Sequence, residues 1–393
     1  MTYKPHQIKA SQQVADKVKA QGITLLAGSP RSGKTRTAIR AAQLLGWKKV
    51  LVLTKKQAVS GWAKELDAVG VTGFTVTNYE QAPKLRQEYD GVIADESHNL
   101  GAVPKPTKRV RDARRLAANC PVILLSGTPA VETALAVFHQ FVITKRTPFK
   151  HRNFYQFFAE WGVPDSIYIH GRRVEQYKKC KPELLDEIGK YTVTMTQEDA
   201  GITAQAIDRV HEVQLTDTTK ALINEAVTDS VITIDGKVCP LESEMAVRVA
   251  LHQIETGGLK LGDDYVNLGN REVLDYLLKH FDPADTAVMA HYKATRNVLE
   301  PHYPHIYSSN GACEGVDLSH YKHFVIVNSD FSGARFIQRR ERIVNMNVTD
   351  ERVVHHIVTD GGISKDVYES VSSKRDFNLR SFRQWRQQHR QPI

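Results

Sequence analysis

The nine residues GSPRSGKTR, from Gly28 to Arg36, carry the most specific chemistry in the chain. Gly28, Gly33, Lys34 and Thr35 fit the pattern G-x-x-x-x-G-K-[ST], whose glycines let backbone N–H groups turn inward around phosphate oxygens. Lys34 then neutralises the β- and γ-phosphates, and the Thr35 hydroxyl can ligate Mg²⁺. Ser29, Pro30, Arg31, Ser32 and Arg36 complete the expected cradle. The bland alternative is a glycine turn before an ordinary helix. An apolar strand before the loop and a helix after it, whose N-terminus adds positive potential, favour the phosphate site. A metal beside those phosphates needs an acidic element. DESH at 95–98 ends the apolar run GVIA, where a parallel strand delivers residues to the ligand edge. Asp95 is expected to hold hydrated Mg²⁺, and Glu96 to orient and polarise the attacking water. ATP and Mg²⁺ are therefore the expected ligands.

These residues must be positioned by strands. Near-continuous apolar runs at 23–28, 50–54, 74–79, 91–97 and 121–127 suggest strands buried on both faces of a parallel sheet. Helical stretches from Arg36 to Leu45, Gly61 to Val69 and Val110 to Ala118 fill the gaps, giving a doubly wound α/β domain over residues 1–145. Residues 146–205 read as a separate small lobe, helical and aromatic. It contains FKHRNFYQFFAEWG, a hairpin around His170-Gly171 and a helix at PELLDEIGKY. Strand–helix alternation resumes over 206–393, with strands at 286–292, 305–309, 323–328 and 352–358 and a basic tail. The expected fold is α/β, two doubly wound parallel-sheet domains with the lobe between them.

Composition narrows the class. The chain has 393 residues, 41% hydrophobic and 25% charged, without an apolar run of membrane-spanning length. The opening MTYKPHQIKASQQV lacks the apolar core of a secretion signal. Cys120, Cys180, Cys239 and Cys313 are scattered, which argues against a zinc site or disulfide framework and fits a reducing compartment. A cytoplasmic location is expected, and no membrane partner. The net charge of +9 raises the prospect of a polyanionic partner.

Beyond the phosphate loop and DESH, other stretches fall in a familiar order. KPHQIKA is centred on Gln7, and LVLTKKQAVSGWAKEL contains Trp62. TNYEQ, LSGTP, NGACEGVDLSHYKHFVIVN and FIQRRERIVN follow. Together they resemble the motifs of superfamily 2 helicase motors, nearest the compact Swi/Snf-type branch; a phage or mobile-element version of it would have the host cytoplasm as its location. The resemblance covers both α/β domains and implies two RecA-like domains with ATP between them. It implies that Gln7 reads adenine, that SGTP couples nucleotide to nucleic acid, and that the arginines of FIQRRERIVN face the γ-phosphate. HEVQLTDTTKALINEA resembles the strand and helix that open that branch's second domain. Gly315 permits close backbone approach, and Asp317 can accept hydrogen bonds from ribose or an arginine.

The last motif departs from the family pattern Q-x-x-G-R-x-x-R. With Gln338 as its glutamine, Arg342 takes the first arginine position, Asn345 the second, and Glu341 replaces the glycine. Shifting the frame pairs Arg339 with Arg342 and misplaces the glutamine. Arg342 is an arginine in both registers.

A sequence-blind grip on DNA, whether duplex, forked or branched, is expected from Lys and Arg on the phosphate backbone. Three stretches offer it: PKPTKRVRDARRL at 104–116, the lobe around FKHRNFYQFF, and the tail with Arg380, Arg383, Arg386 and Arg390 beside Trp385. Phe154, Phe157 and Phe158, at near-helical spacing, fit a core better than a base-stacking platform. The expected activity is that of a DNA-stimulated ATPase and translocase. The alternatives are a nucleotide-gated nucleic-acid clamp or partner-recruiting module without processive movement, and an RNA helicase.

Overall fold

The computed structural model describes the whole chain apart from residues 1–2, 30, 128, 130–132, 170–171, 202–205, 310–317, 341–342, 344–350, 374–378 and 390–393, and the backbone alone at 167–169, 172, 334, 337–338 and 379–380. The chain divides into two compact units, Met1–Gly201 and Ile202–Ile393.

The first unit runs α1 (Pro5–Gln21), β1 (Ile23–Gly28), α2 (Lys34–Leu44), β2 (Val50–Thr54), α3 (Val59–Val69), β3 (Phe74–Asn78), β4 (Gly91–Ala94), α4 (Lys108–Ala117), β5 (Val122–Ser126), α5 (Val137–Phe141), α6 (Phe154–Trp161), β6 (Asp165–Ile169), β7 (Arg172–Gln176), α7 (Glu183–Lys190) and β8 (Thr192–Met195). Its main sheet has the order β3-β2-β4-β5-β1-β8, and every pairing is parallel. Alternate strand residues face two separate cores, as expected of a doubly wound sheet. Leu26, Val52, Ile93 and Ile123 pack with α1, α2 and α3, whereas Leu25, Leu53, Val92 and Leu124 pack with α4, α5 and α6. Burial on both faces explains why these strands read as unbroken apolar runs.

The separate lobe expected at 146–205 is not separate. Phe149, Phe154, Phe157 and Phe158 belong to the same core as Leu25 and Val92. The chain then returns through α7, and β8 pairs with β1 from Leu25↔Thr192 to Gly28↔Met195. The four-residue β8, with burial alternating along it, carries too weak an apolar signal to read as a sheet strand. The hairpin around 170–171 is present as antiparallel β6 and β7.

The second unit runs β9 (Ala206–Gln214), α8 (Asp217–Thr228), β10 (Val231–Ile234), β11 (Lys237–Pro240), α9 (Glu244–Ile254), β12 (Gly258–Leu261), β13 (Asp264–Asn267), α10 (Glu272–His280), β14 (Thr286–Ala290), α11 (Lys293–Leu299), β15 (Ile306–Ser308), β16 (His323–Val327), α12 (Gly333–Arg340), β17 (Arg352–Asp360), α13 (Ser364–Ser372) and α14 (Leu379–His389). Its parallel sheet has the order β15-β14-β16-β17-β9, and β10–β11 and β12–β13 form two antiparallel hairpins.

The basic tail is the main departure from expectation in this unit. It folds as α14, with Phe382 and Trp385 buried against α8, α9 and α13. Trp385 Nε1 donates to Asp366 at 3.0 Å. Arg383 pairs with Glu244 at 2.7 Å, and Arg386 donates to the Val227 carbonyl and the Ser230 hydroxyl, each at 2.7 Å. Phe382 and Trp385 form the core-facing stripe of an amphipathic helix. Arg383 and Arg386 thus have partners within the unit that this helix packs against. The Arg380 side chain and Arg390 lie outside the described residues.

Buried histidines punctuate the second unit. His355 on β17 links His211 on β9 (2.9 Å) to His323 on β16 (3.3 Å). Burial first, and the neighbouring His211 and His323 next, hold His355 down at about 3. Burial likewise holds His252 at about 3 and His291 at about 4. A histidine kept neutral in the fold but protonated when unfolded makes stability fall with pH below its unfolded value of about 6.5, down to its folded value. Urea unfolding of the whole protein should therefore lose about 1.4 kcal/mol for each of these three histidines between pH 7.5 and 5.5. An unchanged unfolding midpoint for the second unit over that range would contradict the neutral, buried assignment.

Candidate functional site

In the first sheet β5 lies between β4 and β1, so three strand ends stand side by side at the C-terminal edge. They carry Asp95-Glu96, Ser126-Gly127 and the phosphate loop. Adjacent strands are about 4.8 Å apart, which sets the acidic pair about 10 Å across the sheet from the loop.

The loop leaves β1 at Gly28 and enters α2 at Lys34. Gly33 has φ +87, a left-handed conformation that glycine adopts without strain. A Cβ there would also lie 2.3 Å from Gln7 Nε2, and one at Gly28 would lie 2.7 Å from Lys34 Cγ. Arg31 is left-handed as well, with φ 62. Lys34 Nζ donates to the Gly28 carbonyl at 2.7 Å and the Ser29 carbonyl at 3.1 Å, which folds the ammonium back over the loop. Ser32 Oγ is buried without a hydrogen-bond partner among the described residues. Arg36 turns away to pair with Glu65. Thr35 sits in the first turn of α2, and Pro30 lies outside the described residues.

Gln7 braces this loop from below. It is 1% exposed, its Oε1 accepts from the Lys4 N–H at 3.0 Å, and its amide lies against Gly33. Its neighbour His6 contacts the Ser32 carbonyl through Nε2 at 3.0 Å. The glutamine that the sequence offered as an adenine reader is thus, in this conformation, packed beneath the phosphate loop.

The acidic pair is held from several directions. Asp95 Oδ2 accepts from the Thr54 hydroxyl and from Trp62 Nε1, both at 2.8 Å. Asp95 Oδ1 accepts from the Glu96 N–H at 3.0 Å, and the Tyr79 hydroxyl donates to the Asp95 carbonyl at 2.7 Å. Burial, with the Glu96 charge beside it, raises the Asp95 pKa, against the opposing effect of Trp62, Thr54 and Lys34. Burial also acts to raise Glu96. There, however, His98 and the Lys34 and Lys55 ammoniums outweigh it and hold the carboxyl well below its usual range. Glu96 has φ 48, so the chain turns sharply after Asp95 and directs two successive carboxylates differently.

The two remaining residues of DESH tie this loop to SGTP. His98 Nδ1 lies 3.2 Å from both Glu96 Oε2 and Ser126 Oγ. Ser97 donates to Gln140 Oε1 at 2.9 Å, and Gln140 Nε2 donates to the Pro129 carbonyl at 2.6 Å. Gln140, on α5, is fully buried. A Cβ on Gly127 would sit 3.5 Å from the Gly28 carbonyl and 3.9 Å from Lys34 Nζ, so the SGTP loop closes directly onto the phosphate loop. Sequence reading missed Gln140 entirely. It identified Trp62 and Tyr79 by resemblance, without their shared role at Asp95.

The expected residues of the second unit are only partly described. Gly315, Asp317, Glu341, Arg342 and Asn345 lie outside the described residues, and Gln338 is described by its backbone alone. Arg339, on α12, donates to Asp330 Oδ2 at 2.7 Å and to the Ser309 carbonyl at 3.0 Å. Arg339 and Asp330 side chains are only 7% and 8% exposed, so this guanidinium is committed within its own unit.

No protein-family model and no curated protein matches the chain. It is similar in structure to the Sulfolobus solfataricus SWI2/SNF2 ATPase core in complex with double-stranded DNA, at 16% identity and a TM-score of 0.45, over 98% of this chain and 95% of that one. It is also similar to the SWI2/SNF2 ATPase core domain of the same organism, at 14% identity and a TM-score of 0.44, over 96% and 89% of the two chains. Among the described residues no helix is long and apolar enough to cross a membrane.

The Gln140 bridge makes a direct prediction. Gln140→Leu keeps the volume but strands the Ser97 hydroxyl and the Pro129 carbonyl in a buried site. It should cost about 1–3 kcal/mol of stability, read as a lowered urea midpoint. A variant as stable as the wild type would mean the two loops are not held together through Gln140.

Proposed function

We propose that the chain is an ATPase stimulated by DNA and that it uses hydrolysis to move along, or remodel, duplex, forked or branched DNA. The observation that carries the nucleotide half is a meeting at one sheet edge. The Lys34 ammonium, on a loop whose two glycines leave no room for a Cβ, acts on the buried Asp95 and the half-buried Glu96, two carboxylates tuned in opposite directions. Backbone N–H groups between Gly28 and Thr35 cradle the phosphates, and Lys34 leaves its loop carbonyls to neutralise them.

The donor set fits a hard divalent cation: the Thr35 hydroxyl, the Asp95 carboxylate, and the Ser32 hydroxyl, which is buried and unpartnered among the described residues. Thr35 and Asp95 would hold Mg²⁺, which when bound neutralises charge on the phosphates. Glu96 orients the attacking water. A carboxylate held this firmly ionised is a weak proton acceptor, so its role is to place the water and stabilise it electrostatically, which is the main demand of phosphoryl transfer.

The DNA half rests on charge. Lys105, Lys108, Arg111 and Arg114 are exposed on and just before α4, close in sequence to DESH. Arg111 also donates to the Pro106 carbonyl at 2.9 Å, Arg109 pairs with Glu80 at 2.6 Å, and Arg115 donates to the Pro83 carbonyl at 3.0 Å. With a net charge of +9 this face suits a phosphate backbone without base reading. One observation favours a second reading, a nucleotide-gated DNA clamp: Arg339, an expected γ-phosphate arginine, is engaged by Asp330.

Lys34→Ala should abolish ATP turnover in a folded protein. Glu96→Gln should bind ATP with Mg²⁺ yet turn it over at least about 10²-fold more slowly. Wild-type turnover in either variant removes that residue from the site. Log affinity for duplex DNA should fall linearly with log salt, and Lys108→Ala or Arg111→Ala should flatten the slope by about one unit each. The deciding measurement is displacement of a third strand from duplex DNA. A translocase displaces it with ATP and not with a non-hydrolysable analogue. DNA-stimulated hydrolysis without displacement or branch movement would establish the clamp instead.

A further inference from the structure

We propose that Trp62 and Thr54 are positioning residues for metal binding: they grip one oxygen of Asp95 so that only the other is offered to Mg²⁺. The inference rests on the reading of Asp95 as the carboxylate that holds the metal.

The argument is a count of lone pairs. Each oxygen of an ionised carboxylate accepts about two hydrogen bonds. Oδ2 takes two, from Thr54 Oγ1 and Trp62 Nε1, each at 2.8 Å, and is saturated. Among the described residues Oδ1 takes one, from the Glu96 N–H at 3.0 Å, and keeps one acceptor site. A cation or its bound water therefore has one oxygen to approach, from one side. The grip is dry, since Thr54 is fully buried and Trp62 is 2% exposed, so water does not replace either donor. It is also directional. An indole N–H can only donate, and the terminal torsion of aspartate is otherwise broad and nearly two-fold. Left to itself, the carboxylate would exchange its two oxygens. The Tyr79 hydroxyl, donating to the Asp95 carbonyl at 2.7 Å, fixes the backbone from which the side chain projects.

The donors converge from distant parts of the first unit. Thr54 ends β2, Trp62 lies on α3 and Tyr79 follows β3. Mg²⁺ demands near-ideal octahedral geometry, so a carboxylate free to swing binds it less well than one held still. Partners behind a metal ligand typically change metal affinity by about 10–100-fold when removed.

The test uses the full chain and a fluorescent ADP analogue, titrated in EDTA and then across Mg²⁺ concentrations. Trp62→Phe keeps a ring in the core and removes the donor. Thr54→Val removes the hydroxyl and keeps the shape, whereas Thr54→Ser keeps the hydroxyl. Trp62→Phe and Thr54→Val should bind the analogue in EDTA as the wild type does, yet need about 10-fold more Mg²⁺ for the half-maximal gain in affinity. Thr54→Ser should track the wild type, and the double variant should exceed either single one. Asp95→Asn should lose the Mg²⁺-dependent gain. If both single variants keep the wild-type Mg²⁺ midpoint while Asp95→Asn loses its response, the positioning role is wrong and the metal reading stands. If Asp95→Asn responds to Mg²⁺ normally, the metal reading fails and the proposal with it. A fall in EDTA affinity that accounts for the whole loss in both variants would mark a purely structural role and overturn the proposal.

Discussion

Burying the Asp95 carboxylate is the constraint around which the first unit is built. Removing a carboxylate from water costs several kcal/mol unless charges and donors replace the lost hydration. Here the replacements are a hydroxyl, an indole N–H, a backbone N–H and the Lys34 ammonium. Three of these come from separate elements that only the sheet order β3-β2-β4-β5-β1 brings together. Strand order, helix α3 and the turn at Glu96 therefore have to be right at once. A misplaced strand would leave an uncompensated charge in the interior.

The same edge shows how a parallel sheet distributes work. Strand bodies are apolar and buried on both faces, so polar chemistry is confined to their C-terminal ends. The loops there would be free to move independently were they not cross-linked. His98 with Ser126, and Ser97 through Gln140 to Pro129, join the acidic loop to the SGTP loop. Because a buried polar group left unpaired is costly, a shift in one loop is felt by the other. Left-handed backbone at Glu96 and Arg31, neither of them glycine, places local strain at the two loops of the candidate site.

The second unit uses buried polar groups differently. Glu255 is fully buried and accepts from the Ser364 N–H and the Thr359 hydroxyl, fastening the start of α13 to the end of α9. Asp330 gathers Arg339 and Arg335 beside the end of β16. The linked rings of His211, His355 and His323 span three strands of its sheet. These networks specify packing and register. They are satisfied within the unit, which is why arginines that look catalytic or DNA-binding in the sequence, Arg339, Arg383 and Arg386, prove to have structural partners.

The sequence by itself determined what is local. Nine consecutive residues suffice to set the glycine-bracketed loop between β1 and α2, because the glycine conformations and the following helix N-terminus are properties of that segment alone. The parallel strands were legible because burial on both faces writes an unbroken apolar run, and Phe154, Phe157 and Phe158 were legible as core through helical spacing. Tertiary structure decided which polar groups meet. Thr54 and Trp62 lie 41 and 33 residues from Asp95, and Gln140 lies 43 from Ser97. No periodicity records such pairings. Arg386 reads as a free cation until Ser230, 156 residues away, is placed beside it. Even β8 could be recognised as a sheet strand only once β1 was present to pair with it. A hydrogen bond or ion pair depends on distance in space, and chain folding alone sets that distance for residues far apart in sequence.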